Sequence, residues 1–338
     1  MSRRFAIAAT LKTLEQPMPA KPRVLVTRKL PDAVEERLKR DYQPILNLDD
    51  KLYSADELLA ACKGCDALLP SPTDKLTAQL IEQLPDSVRA IATFSVGYEH
   101  IDLNACKARG IVVGNTPDVL TDATADIALL LMLGAARRAY EGERMVREHT
   151  WGAWEPTGML GVDMTGKRLG VYGMGRIGQA VAKRARAFDM TIHYHNRSRL
   201  APELEQGAVF HARAEDMLPH CDFLSINAPA SPETNGFLNA ERIALLPDGA
   251  IVVNTARGPL IDDEALIAAL KSGKVRAAGL DVYTGEPKIN PGYRPLKNTF
   301  LLPHLGSATT ETRNAMGFRA LDNLDAFFAG RPLPSRVV

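Results

Sequence analysis

Three side chains with acid-base or electrostatic chemistry, Arg257, Glu286 and His304, each come just after a predicted strand. Reduction of a carbonyl group needs a proton donor for the oxygen, a cation for the oxyanion, and a carboxylate that keeps the donor protonated. Histidine, arginine and glutamate supply that set. Taken singly, each has an ordinary structural explanation: a surface arginine, a solvated glutamate before Pro287, or a capped histidine after Pro303. The hypothesis therefore depends on elements that bring the three residues together.

A glycine-rich turn indicates where the hydride for such a reduction would be held. The stretch from Leu169 to Ala180 reads Leu-Gly-Val-Tyr-Gly-Met-Gly-Arg-Ile-Gly-Gln-Ala, an apolar strand followed by a G-x-G-x-x-G turn and a helix former. Gly173 permits the tight turn, Gly175 lets backbone approach a pyrophosphate, and Gly178 lets helix and strand pack closely. Backbone N–H groups that begin the helix then face the phosphates. The turn predicts a dinucleotide site.

The end of the next predicted strand, Thr191 to His195, indicates which dinucleotide to expect. An NAD-type site carries Asp or Glu there for the ribose 2′-hydroxyl, whereas this chain has Asn196, Arg197, Ser198 and Arg199. A carboxylate would repel a 2′-phosphate, and arginine pairs with one in a charge-assisted fork. NADP(H) is therefore favoured. NAD(H) is the alternative, if the two arginines are only exposed loop charges.

Strands that alternate with helices must position these loops, and such alternation predicts parallel sheets. The stretch from Arg23 to Val113 predicts a small α/β unit without a glycine phosphate turn, and the alternation resumes beyond Gly178. Between the two units, an uninterrupted pattern from Thr121 to about Arg147 predicts one long helix that bridges two domains. A last helix, about 309–329, is expected to pack back onto the first unit.

The composition excludes several classes of function. The 338 residues exceed one ordinary core, so two domains are expected. A net charge of +1 with no basic run argues against a nucleic-acid partner. The longest apolar run, 127–136, is about half of a membrane span. Four cysteines without disulfide or metal-like spacing suit a cytoplasmic protein with no bound metal.

Four motifs, in order and spacing, make the chain resemble the D-isomer-specific 2-hydroxyacid dehydrogenase family from about residue 22 onwards. They are the glycine turn, Asn254-Thr-Ala-Arg257-Gly-Pro-Leu, Asp281-Val-Tyr-Thr-Gly-Glu286-Pro and Pro303-His304-Leu-Gly-Ser-Ala-Thr. The resemblance implies that Arg257 binds the substrate carboxylate and carbonyl oxygen. It also implies that His304 is the acid/base and that Glu286 pairs with it.

The resemblance further implies a set of ligand contacts. The turn Ser95-Val96-Gly97 matches the family's substrate loop, whose backbone N–H groups would hold the substrate carboxylate near Arg257 and His304. Asp281 matches a residue that contacts the nicotinamide carboxamide. The full set of implied cofactor contacts is Gly173, Gly175, Arg176, Ile177, Gly178, Asn196, Arg197, Ser198, Ala228, Pro229, Thr255, Ala256, Arg257, Asp281, His304 and Gly306.

The implied layout is α/β, with two Rossmann-like doubly wound domains, parallel sheets and a cleft between them. Residues 22–118 and 306–338 would form the substrate-binding domain, 119–305 the dinucleotide-binding domain, and 1–21 an N-terminal extension. Homodimers built through the nucleotide domains are usual in that family. Trp151 and Trp154 are interpreted either as local packing or as an arm that reaches the partner subunit.

The activity implied is reduction of a small 2-oxo acid to a D-2-hydroxy acid with NAD(P)H, NADPH preferred. Within the family the chain is most similar to the glyoxylate and hydroxypyruvate reductase or 2-ketogluconate reductase branch. Two alternatives stay open. A formate dehydrogenase of this fold carries Gln where this chain has Glu286. A nucleotide-sensing corepressor can retain the same three residues, but no long polar regulatory tail is visible in this sequence.

Overall fold

Two parallel β-sheets organise residues 21–338, the part of the chain that this computed structural model describes. Their strands are β1 (Arg23–Val26), β2 (Gln43–Ile45), β3 (Ala67–Leu69), β4 (Ala90–Ala92), β5 (Val112–Gly114), β6 (Arg168–Tyr172), β7 (Thr191–His195), β8 (Val209–His211), β9 (Phe223–Ile226), β10 (Ala250–Asn254), β11 (Val275–Leu280) and β12 (Thr299–Leu301). The predicted N-terminal extension, 1–21, lies outside the described residues apart from Lys21.

The connections between these strands are mostly helical, as parallel pairing requires. The helices are α1 (Asp32–Asp41), α2 (Ala55–Ala61), α3 (Ala78–Gln83), α4 (Leu103–Ala108), α5 (Thr121–Ala136), α6 (Ala139–Arg147), α7 (Arg176–Arg186), α8 (Pro202–Glu205), α9 (Ala214–Met217), α10 (Ala240–Leu245), α11 (Asp263–Ser272) and α12 (Thr310–Phe328).

The first sheet has the order β2-β1-β3-β4-β5, and apolar cores cover both of its faces. The last helix, α12, returns from the far end of the chain and packs against β4 and α1, as predicted. Gly317 permits that contact, since a Cβ there would lie 2.4 Å from Cγ2 of Val34. Arg37 of α1 pairs with Asp322 of α12 at 2.9 Å. The first domain is therefore built from both ends of the described chain.

The second sheet has the order β12-β11-β10-β9-β6-β7-β8, and every pairing in it is parallel. All five residues of β10 are buried, as expected for a strand with helices on both faces. Helices α5 and α7 pack on one face, and α9, α10 and α11 cover the other. Two doubly wound parallel sheets confirm the predicted fold class.

The prediction of one uninterrupted helix from Thr121 to Arg147 is wrong. The helix ends at Ala136, and Arg138 adopts a left-handed conformation (φ 55°) before α6 begins. The carbonyl of Ala136 accepts a hydrogen bond from the N–H of Val162 at 3.0 Å, a partner that helix continuation would have supplied from within. Helix α5 packs within the second domain, against α7, β10, β11 and β12, so it is not a bridge between domains.

The outer edge of the second sheet carries a strand that the pattern did not predict, β8. With only three residues, Val209-Phe210-His211, this edge strand is too short to give a clear strand pattern. His193 on β7 and His211 on β8 lie side by side, with Nδ1 and Nε2 3.0 Å apart. The ring of His220 stacks on that of His193 with centroids 4.9 Å apart. Three imidazoles therefore form one cluster at this edge.

Three further features bear on the function classes. Within residues 21–338, no helix combines the length and apolarity needed to cross a membrane. The four cysteines are buried and unpaired. In the described part of the chain, no group of three or more His, Cys, Asp or Glu side chains is arranged to hold a metal ion.

Candidate active site

Neighbouring strands of the second sheet place the three predicted catalytic residues at one edge. Arg257 follows β10, Glu286 follows β11 and His304 follows β12, and these strands are adjacent in the sheet. Because the strands are parallel, their carboxyl ends meet at the same side, where open α/β sheets bind ligands. Residues 29 and 18 positions apart in sequence therefore share one site.

Glu286 and His304 form a hydrogen-bonded ion pair. The Nδ1 of His304 lies 2.7 Å from Oε2 of Glu286, and the N–H of Tyr283 donates to Oε1 at 2.8 Å. Burial would raise the pKa of Glu286, but the hydrogen bond and charge of His304, with the charge of Arg257, hold that pKa below its usual range. The pairing leaves Nε2 of His304 for a substrate.

The side chain of Asp281 holds the turn that carries His304. His304 adopts a positive φ of 58°, and the carboxylate of Asp281 accepts from the N–H groups of Leu305 at 2.6 Å and Gly306 at 2.8 Å. Asp281 is buried, which raises the pKa of its carboxyl. The side chain of Thr124 donates to the carbonyl of Gly306. These contacts position the imidazole, and the implied contact of Asp281 with a nicotinamide stays a prediction.

Arg257 reaches across the cleft to the first domain. Its Nη1 donates to the carbonyl of Ala256 at 2.7 Å, and its Nη2 lies 3.5 Å from Oε2 of Glu99. The guanidinium sits so close to Gly97 that a Cβ there would lie 1.9 Å from Nη2. Behind it, the side chain of Asn254 donates to the carbonyl of Arg257 at 2.8 Å. The structure thus brings the arginine motif and the substrate loop together.

The substrate loop is held rigidly at the end of β4. The hydroxyl of Ser95 donates to the carbonyl of Gly97 at 2.6 Å, and the side chain of Asn115 donates to the carbonyl of Val96 at 2.7 Å. Both bonds occupy carbonyls, so the loop offers its N–H groups to an anion. Next to it, burial lowers the pKa of His100 to about 4, which keeps that imidazole neutral at physiological pH.

The glycine turn has the geometry that close backbone approach requires. Gly173 has a φ of 93°, and a Cβ there would lie 2.6 Å from the backbone nitrogen of Ala228. A Cβ on Gly178 would lie 2.3 Å from the carbonyl oxygen of Gly173, whereas one on Gly175 would meet open space. Helix α7 begins at Arg176 without a side-chain cap, so its first N–H groups are available to a phosphate.

Buried polar atoms without a partner also lie along this edge. Within residues 21–338, Oδ1 of Asn227 and Oγ1 of Thr255 are buried and accept no hydrogen bond. They follow β9 and β10, next to the predicted contacts Pro229 and Ala256. Such orphaned groups normally have a partner in the functional state. With the glycine turn, they fit a bound dinucleotide.

In the segment after β7, one side chain contacts the protein and the next two are exposed to solvent. The side chain of Asn196 accepts from the N–H of Met174 at 2.6 Å, so it fixes the glycine turn. Arg197 and Ser198 are exposed at the rim. These positions leave Arg197 free to reach a ligand bound at the turn.

Arg199, the second arginine of that segment, forms an ion pair within the protein. Its guanidinium donates to both carboxylate oxygens of Glu205, at 2.8 and 3.0 Å, and lies over the ring of Phe210. It is therefore a structural residue here. Two other predicted cofactor contacts are placed beside the turn: Arg176 pairs with Asp118 at 2.6 Å, and Ile177 packs against the apolar core.

Comparison with known proteins identifies the family. The family model described as "D-isomer specific 2-hydroxyacid dehydrogenase, NAD binding domain" matches residues 129–306. A glycerate dehydrogenase from Hyphomicrobium methylovorum is 48% identical over 313 residues, which cover 92% of this chain and 97% of that protein. The chain belongs to the D-isomer specific 2-hydroxyacid dehydrogenase family. It is an NAD(P)-dependent enzyme.

Other members of this dehydrogenase family agree in sequence and structure. A glyoxylate reductase from Thermococcus litoralis is 40% identical over 321 residues, with 94% of this chain and 97% of that protein covered. The crystal structure of an NADPH-dependent glyoxylate/hydroxypyruvate reductase from Sinorhizobium meliloti, in complex with NADP and malonate, superposes with a TM-score of 0.85. It is 33% identical and covers 94% of this chain and 97% of its own. These relatives confirm the predicted branch.

Sequence reasoning missed three residues that line the dehydrogenase site: Glu99, His100 and Asn115. Glu99 and His100 lie two and three residues beyond the substrate loop, and a charged residue so near a predicted anion site was a signal that could have singled out Glu99. Asn115 carried no such signal, because its contact with Val96 depends on how β5 lies beside β4. The enzymatic class leaves the corepressor alternative without support, and Glu286 is the residue that separates this chain from a formate dehydrogenase.

Proposed function

We propose that this dehydrogenase reduces small 2-oxo acids to D-2-hydroxy acids, with glyoxylate and hydroxypyruvate as the main substrates and 2-ketogluconate as a further one. The observation that carries the proposal is the 2.7 Å pair of His304 and Glu286 at the same edge as Arg257, which itself lies against Gly97. One small volume is then surrounded by a proton donor, its carboxylate partner, a cation and an anion-binding loop.

Each residue has a role in that chemistry. When held at the glycine turn, a nicotinamide nucleotide would supply the hydride for the carbonyl carbon. The substrate carboxylate lies between Arg257 and the N–H groups of Val96 and Gly97. His304 donates the proton from Nε2 to the carbonyl oxygen as its negative charge develops, and Arg257 stabilises that charge. Glu286 keeps the imidazole protonated and oriented through Nδ1.

The names of the relatives support the substrate class. Oxidation of glycerate at its second carbon gives hydroxypyruvate, so a glycerate dehydrogenase and a hydroxypyruvate reductase handle the same redox pair. Relatives with the names glycerate dehydrogenase and glyoxylate reductase each cover more than nine-tenths of this chain. A two-carbon and a three-carbon acid share the 2-oxo carboxylate that Arg257 and the loop would bind.

NADP(H) is the proposed cofactor, with NAD(H) accepted more weakly. The residues directly after β7, 196–199, include no carboxylate, and the side chain of Arg197 is exposed there. The relative from Sinorhizobium meliloti is NADPH-dependent and was solved with NADP. Since Arg199 is held by Glu205, the preference rests on Arg197 alone.

A homodimer is the proposed assembly, and a cytoplasmic location stays a prediction. An apolar surface runs along α5, α6 and the following loop, with side chains that are 36% to 79% exposed: Leu130, Leu133, Tyr140, Val146, Trp151, Trp154 and Leu160. A groove of about 370 Å³ opens beside it, lined by Gly134, Tyr140 and Leu160 among others. Apolar surface of this extent is typical of an interface, and a second copy is the occupant that we propose.

The function is tested by turnover with purified protein. Loss of NADPH or NADH is followed with glyoxylate, hydroxypyruvate, 2-ketogluconate and pyruvate, and formation of NADH is followed with formate and NAD⁺. We expect turnover of glyoxylate and hydroxypyruvate, faster with NADPH, and none of formate. His304→Ala serves as the inactive control. Turnover of formate alone, or of none of these acids, would contradict the proposal.

A further inference from the structure

Glu99 is an acidic residue in contact with the arginine that the proposed function assigns to the substrate carboxylate. Its Oε2 lies 3.5 Å from Nη2 of Arg257, and the two side chains are 41% and 33% exposed. That distance is longer than a strong charge-assisted hydrogen bond, which lies near 2.7–2.9 Å. The contact is therefore a loose ion pair open to solvent, unlike the tight one between Glu286 and His304.

Gly97 shows that the two charged groups share one small space. A Cβ on Gly97 would lie 1.9 Å from Nη2 of Arg257 and 2.4 Å from Oε2 of Glu99. The guanidinium, the Gly97 backbone and the Glu99 carboxylate thus meet at a single spot. This is the spot where the loop N–H groups and the guanidinium would converge on a substrate carboxylate.

The other groups around Arg257 do not compete for it. Glu286 is held by His304 and by the backbone of Tyr283. His100 is neutral, because burial lowers its pKa to about 4, and its Nε2 lies 3.0 Å from the hydroxyl of Thr93. Within residues 21–338, Glu99 is the acidic side chain paired with the Arg257 guanidinium.

We propose that Glu99 sets the affinity of this site by competing with the ligand carboxylate for Arg257. This inference rests on the proposed function, since it takes Arg257 as the carboxylate site. An incoming carboxylate must displace Glu99 or lie beside it, and either outcome weakens its binding because like charges repel. A 2-oxo acid also offers its carbonyl oxygen to Arg257 and His304, so it overcomes the competition.

The proposal predicts that removing the charge of Glu99 lowers KM, whereas loss of a residue that positions Arg257 would raise it. Glu99→Gln removes the charge and keeps the shape. We expect the KM for glyoxylate to fall about fivefold, so that kcat/KM rises, as loss of one partly exposed ion pair allows. The inhibition constant of acetate, which also binds through a carboxylate, should fall by a similar factor, about fivefold. Glu82→Gln, on exposed α3 of the same domain, is the matched control and should change neither value.

Binding without turnover separates this inference from the proposed function. Titration calorimetry with oxamate, in the presence of NADP⁺, should show about fivefold tighter binding to Glu99→Gln than to wild type. A wild type that turns over no 2-oxo acid but shows that difference would overturn the proposed function alone. A raised KM, a kcat loss rescued by Glu99→Asp, or unchanged oxamate and acetate constants would overturn the competition.

Discussion

Glu286 accepts two hydrogen bonds, from His304 and from the backbone of Tyr283, and this double anchoring is the basis of a prediction about how pH acts on the enzyme. Despite burial, its pKa is held below the usual range, so Glu286 stays ionised throughout the neutral range. Reduction consumes a proton and therefore needs the charged imidazole. Its kcat/KM should be high at acidic to neutral pH and fall as pH rises, while oxidation of the hydroxy acid shows the opposite limb.

Two variants test that pairing. Glu286→Gln should move the falling limb of the reductive kcat/KM profile to lower pH, because the imidazole loses its charged partner. His304→Ala should abolish the limb with a loss of roughly 100-fold or more. The measurements are kcat/KM for glyoxylate reduction and for oxidation of the corresponding hydroxy acid, glycolate, between about pH 5 and pH 9. A Glu286→Gln profile that coincides with wild type would mean that another group sets the charge of His304.

The two arginines after β7 should behave differently although they are two positions apart. Arg197→Ala should weaken NADPH far more than NADH, by roughly tenfold to a hundredfold, because a hydrogen bond to a charged group is worth roughly 1.5–3 kcal/mol. Arg199→Ala is the matched control: it removes the partner of Glu205 and should lower the Tm without changing the ratio of the two cofactors. The readouts are KM for both cofactors and thermal unfolding. Equal losses for NADPH and NADH in Arg197→Ala would contradict the assignment.

The sequence predicted the individual site residues that lie in motifs, but it did not predict the side-chain contacts that depend on folding. Arg257, Glu286 and His304 could be named because each follows a strand of clear apolar pattern. The partner of Arg199 could not, because Glu205 lies at the end of α8 and meets Arg199 only when that short helix has formed. Whether an arginine binds a phosphate or a neighbouring carboxylate is therefore a tertiary property.

Among the elements, the exposed edge of the second sheet responds to acid. Burial, followed by the neighbouring charges of His220 and His211, lowers the pKa of His193 to about 4, with Arg168 acting in the same direction and Asp222 against it. The pKa of His211 is lowered as well, mainly by burial. An unfolded histidine titrates near 6.5. Between about pH 6.5 and 4 the unfolded chain thus binds more protons, and stability falls as pH falls through that range.

Denaturation at two pH values measures this effect. The free energy of unfolding of wild type in urea should drop between about pH 7.5 and pH 5, and His193→Gln should reduce that drop by about 1 kcal/mol, since solvent reaches the cluster and weakens the effect. His149→Gln, at an exposed position after α6, is the control and should leave the drop unchanged. If both variants follow wild type, the imidazole cluster has no role in acid sensitivity.

The strands were easier to predict than the helices. Strands such as β10, which begins with four consecutive apolar residues, could be recognised directly, whereas β8 has only three residues and gives no clear pattern. The break after α5 could not be read from the sequence, since 121–147 has no proline or glycine pair that forces an end. It arises because Val162, from a later loop, takes the carbonyl of Ala136, and because Gly161 lets that loop approach closely.

The break has a consequence for the whole molecule, because it turns α6 away and leaves an apolar surface along α5 and α6. Trp151 and Trp154 extend it with side chains that are 63% and 79% exposed. Aromatic anchors on exposed loops are typical of interfaces. We expect wild type to sediment as a dimer at micromolar concentration.

Variants of this surface test the dimer. Trp151→Ala with Trp154→Ala should shift the equilibrium toward monomer by at least tenfold in dissociation constant, as two anchors of 1 kcal/mol or more each would require. Sedimentation velocity over a concentration series gives the value. If the double variant stays fully dimeric, both tryptophans lie outside the interface. If wild type is monomeric, the proposed dimer is wrong.

The last helix carries a further consequence, one of timing. Met316, Ala320 and Leu324 of α12 complete the core against the first sheet, whose strands lie in 23–114. During synthesis the whole second sheet leaves the ribosome before α12 does. The nucleotide domain is continuous and can fold as it emerges, but the first sheet must wait with one apolar face uncovered. The domain made first is thus completed last. If a ribosome stalls near residue 305, the apolar face of the first sheet stays exposed and can bind chaperones or aggregate.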